Sequence, residues 1–198
     1  NSQKSYGIKN ISMLDIGGGH GFIGMVAHKS RQVKLEEFYI VEMDKFFVES
    51  SRLTWSKNYP NVKFNIHDSL DKCVPGQLFD ITILSHILEH LNDPKAMVAA
   101  AVGKLRPGGL VMIDVPYKDF LFKKDIFPHI HFFNQMSMER MLEGTGLKVE
   151  CLKHIGRHRQ NTPLNYRGAN RFTALMEKQN FLKFNNNKGW RALVNLSV

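Results

Sequence analysis

Between Met13 and Gly21 the chain reads Met-Leu-Asp-Ile-Gly-Gly-Gly-His-Gly, an apolar run that breaks into four glycines within five residues. Few backbones accept that pattern. It fits the end of a buried strand, where the chain must turn tightly and come close to a ligand without a Cβ in the way. The next stretch, Phe22–Arg31, reads as a helix whose first N–H groups would face whatever the glycines cradle.

The rest of the chain repeats this alternation. Ile11–Ile16, Phe38–Glu42, Val62–Ile66, Asp80–Ser85 and Leu110–Val115 read as strands, with Leu147–Ile155 and Ala192–Val198 as two more. Helical patterns follow at Lys45–Asn58, from Asp93-Pro94 to about Leu105, and at Ser137–Gly144. Asp93 suits an N-cap and Pro94 the first helical position, while Pro107-Gly108-Gly109 turns the chain into the fifth strand. Strand and helix at this spacing predict right-handed crossovers and a parallel sheet covered on both faces. The fold expected is a doubly wound, Rossmann-like α/β sheet with ligands at the carboxyl ends of its strands.

Composition narrows the setting. At 198 residues and 43% hydrophobic the chain can bury one core, and a single domain over 1–198 is expected. Ala96–Val102 and Leu110–Val115 are too short to span a bilayer, which needs roughly 20 apolar residues. The polar start, Asn1–Asn10, offers no signal-peptide core, and Cys73 and Cys151 form no CxxC pair; a cytoplasmic protein with two buried thiols is expected.

Two cofactors compete for the glycine loop. Gly19-x-Gly21-x-x-Gly24 satisfies GxGxxG, and Glu42 at the end of the second strand could hold a dinucleotide ribose. The same stretch also reads Asp15-x-Gly17-x-Gly19-x-Gly21. A dinucleotide gives Asp15 no job, whereas a cofactor with an α-amino group does.

Here the sequence resembles the class I S-adenosylmethionine-dependent methyltransferases, from about Ile11 to Leu152. The resemblance rests on ordered motifs: Leu14-Asp15-Ile16-Gly17-x-Gly19-x-Gly21, Glu42 closing the second strand, and Asp68 after the third. Phe79-Asp80-Ile81, Leu88-Glu89-His90-Leu91 with Asp93-Pro94, and Leu105-Arg106-Pro107-Gly108-Gly109 follow. His129-Ile130-His131-Phe132-Phe133 comes last, leading to Gly146-Leu147. The resemblance implies a mostly parallel sheet whose last strand returns antiparallel, and S-adenosylmethionine as cofactor. It assigns Asp15, Gly17 and Gly19 to the methionine end, counts Gly21 among the cofactor-binding residues, and gives Glu42 to the ribose hydroxyls. Met43 would pack on the adenine, Asp68 with Ser69 would meet its amine, and Ser85 and His86 would border the sulfonium.

His86-x-x-Glu89-His90 also matches the HxxEH zinc pattern, which needs two histidines one helical turn apart. Asp93-Pro94 leaves little helix to carry it, so no metal is expected. A general base is needed only for a weak nucleophile such as a hydroxyl. His131, His129 and His86, in that order, are the candidates.

Charge is uneven. Gly156–Arg191, between the last two strands, holds eight of the 27 basic residues and one of the 18 acids, +7 of the formal +9. In the resembled fold this insertion leaves from the edge where the cofactor sits, and a basic cover there suits a small-molecule, carrier-linked or glycan-type anionic acceptor. Tyr166, Phe172, Phe181, Phe184 and Trp190 could stack on bases, so nucleic acid is the less favoured partner. About ten residues precede the first strand, where the resembled proteins usually carry a helix or more; the acceptor site is open, the chain is truncated, or the insertion is the lid. The expected function is O-methylation of an anionic acceptor. An RNA methyltransferase, a nicotinamide-dependent oxidoreductase and a non-catalytic cofactor-binding module are the alternatives.

Overall fold

The alternation of apolar runs and helices builds one seven-stranded sheet. The computed structural model describes residues 9–30, 33–73, 76–117, 127–155 and 191–197. Its strands are β1 (Lys9–Ile16), β2 (Val33–Val41), β3 (Lys63–His67), β4 (Phe79–Ser85), β5 (Leu105–Pro116), β6 (Lys148–Ile155) and β7 (Arg191–Ser197). Their order is β3-β2-β1-β4-β5-β7-β6. The helices are α1 (Phe22–His28), α2 (Lys45–Asn58), α3 (Pro94–Gly103) and α4 (Gln135–Leu142).

Residues alternate between two cores, as strands buried on both faces require. Ile11 and Met13 of β1, Phe38 and Ile40 of β2 and Ile81 and Ile83 of β4 pack with Trp55 of α2. Leu14 and Ile16, Tyr39 and Val41, and Leu84 pack on the other face with Val98 of α3 and Met138 of α4. Cys73 and Cys151 are free and buried, one in each core.

Local chemistry fixes the helix starts. Asp93 accepts from the Ala96 N–H at 2.8 Å, with Pro94 as the first helical residue, and Asp44 accepts from the Phe46 N–H at 2.8 Å. Asn134 and Ser137 cap α4 reciprocally. The Phe79-Asp80 and Arg106 motifs prove to be a clamp at the amino edge of the sheet. Asp80 Oδ2 accepts from Arg106 Nη1 at 2.7 Å and from the Ser12 N–H at 2.9 Å.

Two expectations need correction. The Pro107–Gly109 turn lies inside β5, as an irregularity between the pairs Phe79–Leu105 and Ile81–Leu110. The last strand is not antiparallel: β7 runs parallel to both β5 and β6. An antiparallel return needs only a short hairpin, whereas a parallel one needs a crossover of a dozen residues or more, and 156–190 is long enough. That basic segment lies outside the described residues; the chain leaves β6 at the carboxyl edge and enters β7 at the opposite one. No helix among the described residues is long and apolar enough to cross a membrane.

Strand order reverses between β1 and β4. The chain runs outward through β2 and β3, returns to β4, and opens a crevice at the carboxyl ends of the central strands.

Candidate functional site

Gly17 and Gly21 shape the loop that enters this crevice. Both have φ of 74°, which a side chain tolerates poorly. A Cβ on Gly17 would stand 2.6 Å from Ile87 Cδ1, and one on Gly21 would stand 2.7 Å from Trp55 Nε1 and 2.9 Å from Phe38 Cε1. Gly19, by contrast, faces open space, with nothing within 4 Å of where a side chain would begin. The result is a closely packed loop with one open face.

Beneath it lies Asp15, at 2% exposure. Its Oδ1 is enclosed and has no hydrogen bond. Burial, and then the nearby negative charge of Glu42, push its carboxyl up to about 7. Such a group calls for a cationic or donor partner. Glu42, directly after β2, accepts from the Gly19 N–H through Oε2 and from the Asp44 N–H through Oε1, both at 3.0 Å. These bonds fix the carboxylate beside the loop and leave lone pairs for further donors.

Met43, Asp68, Ser69 and Ser85 lie at or just after the ends of β2, β3 and β4. Met43 is 81% exposed, an apolar surface next to Glu42. Asp68 follows β3 and is exposed; its hydrogen bond to Lys72 Nζ, at 2.7 Å, holds its carboxyl below the usual carboxylate range. Ser69 precedes the short 3-10 turn Leu70–Lys72, and half-buried Ser85 ends β4.

The histidines gather on the other side of the crevice. His86 follows β4 with φ of 52°, a left-handed conformation rare outside glycine. Its N–H donates to the Asp114 carbonyl at 2.8 Å. This places its ring between two carboxylates: Nδ1 lies 3.4 Å from Glu89 Oε1 and Nε2 lies 3.6 Å from Asp114 Oδ2. Leu88–His90 is a 3-10 turn of three residues, so the helix that HxxEH requires is not built. Instead the 127–131 segment folds onto the turn. The Ile130 and His131 N–H groups donate to the Glu89 carbonyl at 2.8 and 3.1 Å, and the His129 ring packs edge-on against His90 at 4.8 Å. His131 Nε2 is enclosed.

Glu89 and Asp114 carry more than the sequence suggests. Glu89 is 1% exposed with neither side-chain oxygen hydrogen-bonded, an arrangement that costs free energy until something compensates it. Asp114 interrupts the apolar run Leu110–Val115, and that lone acid at a strand end was the signal available.

Comparison with known proteins agrees with this geometry. The sequence profile of a methyltransferase domain family matches residues 4–152. A Coxiella burnetii protein, ubiquinone biosynthesis O-methyltransferase, is 20% identical over 76% of this chain and 69% of its own length. The solved structure of the YcgJ protein from Bacillus subtilis superposes with a TM-score of 0.57 at 20% identity, over 90% of this chain and 77% of that one. A candidate methyltransferase from Bacillus halodurans superposes at 0.55 with 18% identity. It covers 72% of this chain, which spans 65% of that one, just under two thirds. At such identities the structural likeness concerns the fold.

Proposed function

Since the chain belongs to the methyltransferase domain family, we propose that it methylates an oxygen of an anionic small-molecule or glycan-type acceptor. S-adenosylmethionine-dependent transfer comes with the family. The residues present fit that cofactor: a buried acid lacking a partner lies under a glycine cradle that opens at Gly19. When bound, the cofactor supplies an electrophilic methyl group on a sulfonium.

The chain's own residues have the remaining tasks. Asp15 accepts from the α-amino group, directly or through water, and is held ionised by that positive charge. Glu42 accepts from the ribose hydroxyls with lone pairs not used by Gly19 and Asp44. Met43 offers an apolar surface to the adenine, and Asp68 with Ser69 offers acceptors to its amine. Gly17 and Gly21 keep the loop close without obstructing it.

Oxygen is favoured as acceptor atom because a hydroxyl needs a base, and His86 suits that role. Its ring is exposed at the carboxyl end of β4 and flanked by Glu89 and Asp114, which would stabilise the imidazolium formed when it takes a proton. His131, with Nε2 enclosed, and His129, packed on His90, are placed less well. The Coxiella relative's name also points to oxygen. An anionic acceptor is supported by the charge of the sequence over 156–191, eight basic residues against one acid. A cytosolic location suits the two free thiols.

The observation that carries this reading is the buried, unpartnered Asp15 beside Glu42. Its test is a methyl-transfer screen over sugar phosphates, nucleotide sugars, phenols, acidic metabolites and RNA. Methylation of an acidic hydroxyl compound at oxygen is expected. Transfer only to RNA, or only to nitrogen, would overturn the acceptor assignment.

A further inference from the structure

The turn at Leu88–His90 and the segment that folds onto it hold a group of side chains of which the transfer proposed above uses only Glu89, beside His86. Glu89 lies at 1% exposure, neither carboxylate oxygen hydrogen-bonded. Beside it stand His90 and His129, and one ligand-capable atom from each of the three falls within 4.8 Å of the others. His90 Nδ1 lies 3.3 Å from the Pro128 carbonyl oxygen. A carbonyl only accepts, so Nδ1 is the protonated nitrogen in that contact. In neutral His90 the Nε2 lone pair is then turned toward Glu89, with Nε2 3.8 Å from Oε1. The buried Glu89 carboxylate and the exposed His90 ring thus turn two acceptor atoms toward each other, which a cation between them would satisfy.

The geometry points to a divalent metal site of the zinc type, with Glu89, His90 and His129 as ligands and a fourth position open to an oxygen. Two imidazoles and one carboxylate are a donor set that zinc accepts, leaving room for water or substrate. Around a tetrahedral ion with bonds of about 2.0–2.2 Å the donors stand roughly 3.3–3.5 Å apart, so the trio must contract only modestly. The Pro128 carbonyl is the outer partner that a ligating histidine usually has, fixing tautomer and ring orientation. The Ile130 and His131 N–H groups, bonded to the Glu89 carbonyl, hold the second segment in register with the first.

The HxxEH spelling alone would pair His86 with His90. The fold instead brings in His129, from the connection after β5, and leaves His86 at the rim, 3.4 Å from the same carboxylate. An ion here would tie the two loops together at the carboxyl ends of β4 and β5. Use of the open position by an acceptor hydroxyl rests on the O-methylation proposed above; the cation site itself does not.

The test is zinc titration of chelator-stripped protein against a chromophoric competitor, without cofactor or acceptor. One equivalent per chain is expected. His90→Gln, His129→Gln and Glu89→Gln should each weaken binding about ten-fold or more, while His28→Gln on α1 should not. If Glu89→Gln fails to fold, the two histidine variants decide. No saturable zinc binding, or unchanged binding by both histidine variants, would overturn the site. S-adenosylhomocysteine binding by the same stripped protein separates this failure from a failure of the cofactor reading.

Discussion

The two sides of the crevice are built on different principles. On the β1–β2 side the polar groups are held by backbone. Glu42 is fixed by two N–H donors, the glycine loop is wedged against Trp55, Phe38 and Ile87, and Asp15 Oδ1 has no hydrogen bond. On the β4–β5 side, side chains face one another across loops. His86 is in a left-handed conformation, the buried Glu89 carboxylate has no hydrogen bond, and three imidazoles surround it. The first arrangement suits a ligand whose shape does not change. The second keeps charge poised for a partner that brings or takes a proton, or for an ion.

The contrast can be broken most sharply at His86. If it is the base, His86→Gln should lower kcat by about 10²–10⁴-fold, while cofactor affinity stays within about two-fold. An equal loss in His131→Gln with His86→Gln near wild type would move the base. Packing gives the next largest effect. Gly21→Ala meets both a positive φ and the Trp55 and Phe38 rings, so urea denaturation should show a loss of roughly 2–4 kcal/mol. Gly144→Ala, with a φ of 76° but open space, should cost only about 1 kcal/mol. Similar losses at the two glycines would show that the loop is less tightly wedged than described.

Asp15 sets a pH dependence of known sign. Its folded value of about 7 exceeds the ordinary 3.8 of an aspartate, so between these the folded state holds a proton that the unfolded state has lost. The stabilising contribution is therefore full below about pH 4 and disappears as pH rises through 7, up to a few kcal/mol. Compared with Asp15→Asn, cofactor-free wild type should lose stability over that window in chemical denaturation. Parallel pH profiles for the two proteins would contradict the buried, unpartnered carboxylate. Cofactor affinity should change the other way and rise from pH 6 to 8, because the ionised form binds.

Much of the β1–β2 side was legible because its determinants are local. Asp15 and the glycines are contiguous, and Glu42 and Asp68 follow strands that alternation alone predicts. The two-face core follows from the same period. What failed depended on distant chain. The antiparallel β7 expected by resemblance was wrong, since no pattern within Arg191–Ser197 encodes the direction of its neighbours. The grouping of Glu89 and His90 with His129 was equally hidden. It arises because a segment some 40 residues on donates its N–H groups to the Glu89 carbonyl, and sequence spacing carries no trace of such a contact.

Calorimetric titration of the purified protein and its Glu42→Ala variant with S-adenosylmethionine, S-adenosylhomocysteine and NADH tests the central assignment most directly. One site per chain for both sulfur ligands, none for NADH, and a loss of about 1–3 kcal/mol in the variant are predicted. NADH binding in their place, or Glu42→Ala binding as wild type does, would contradict it.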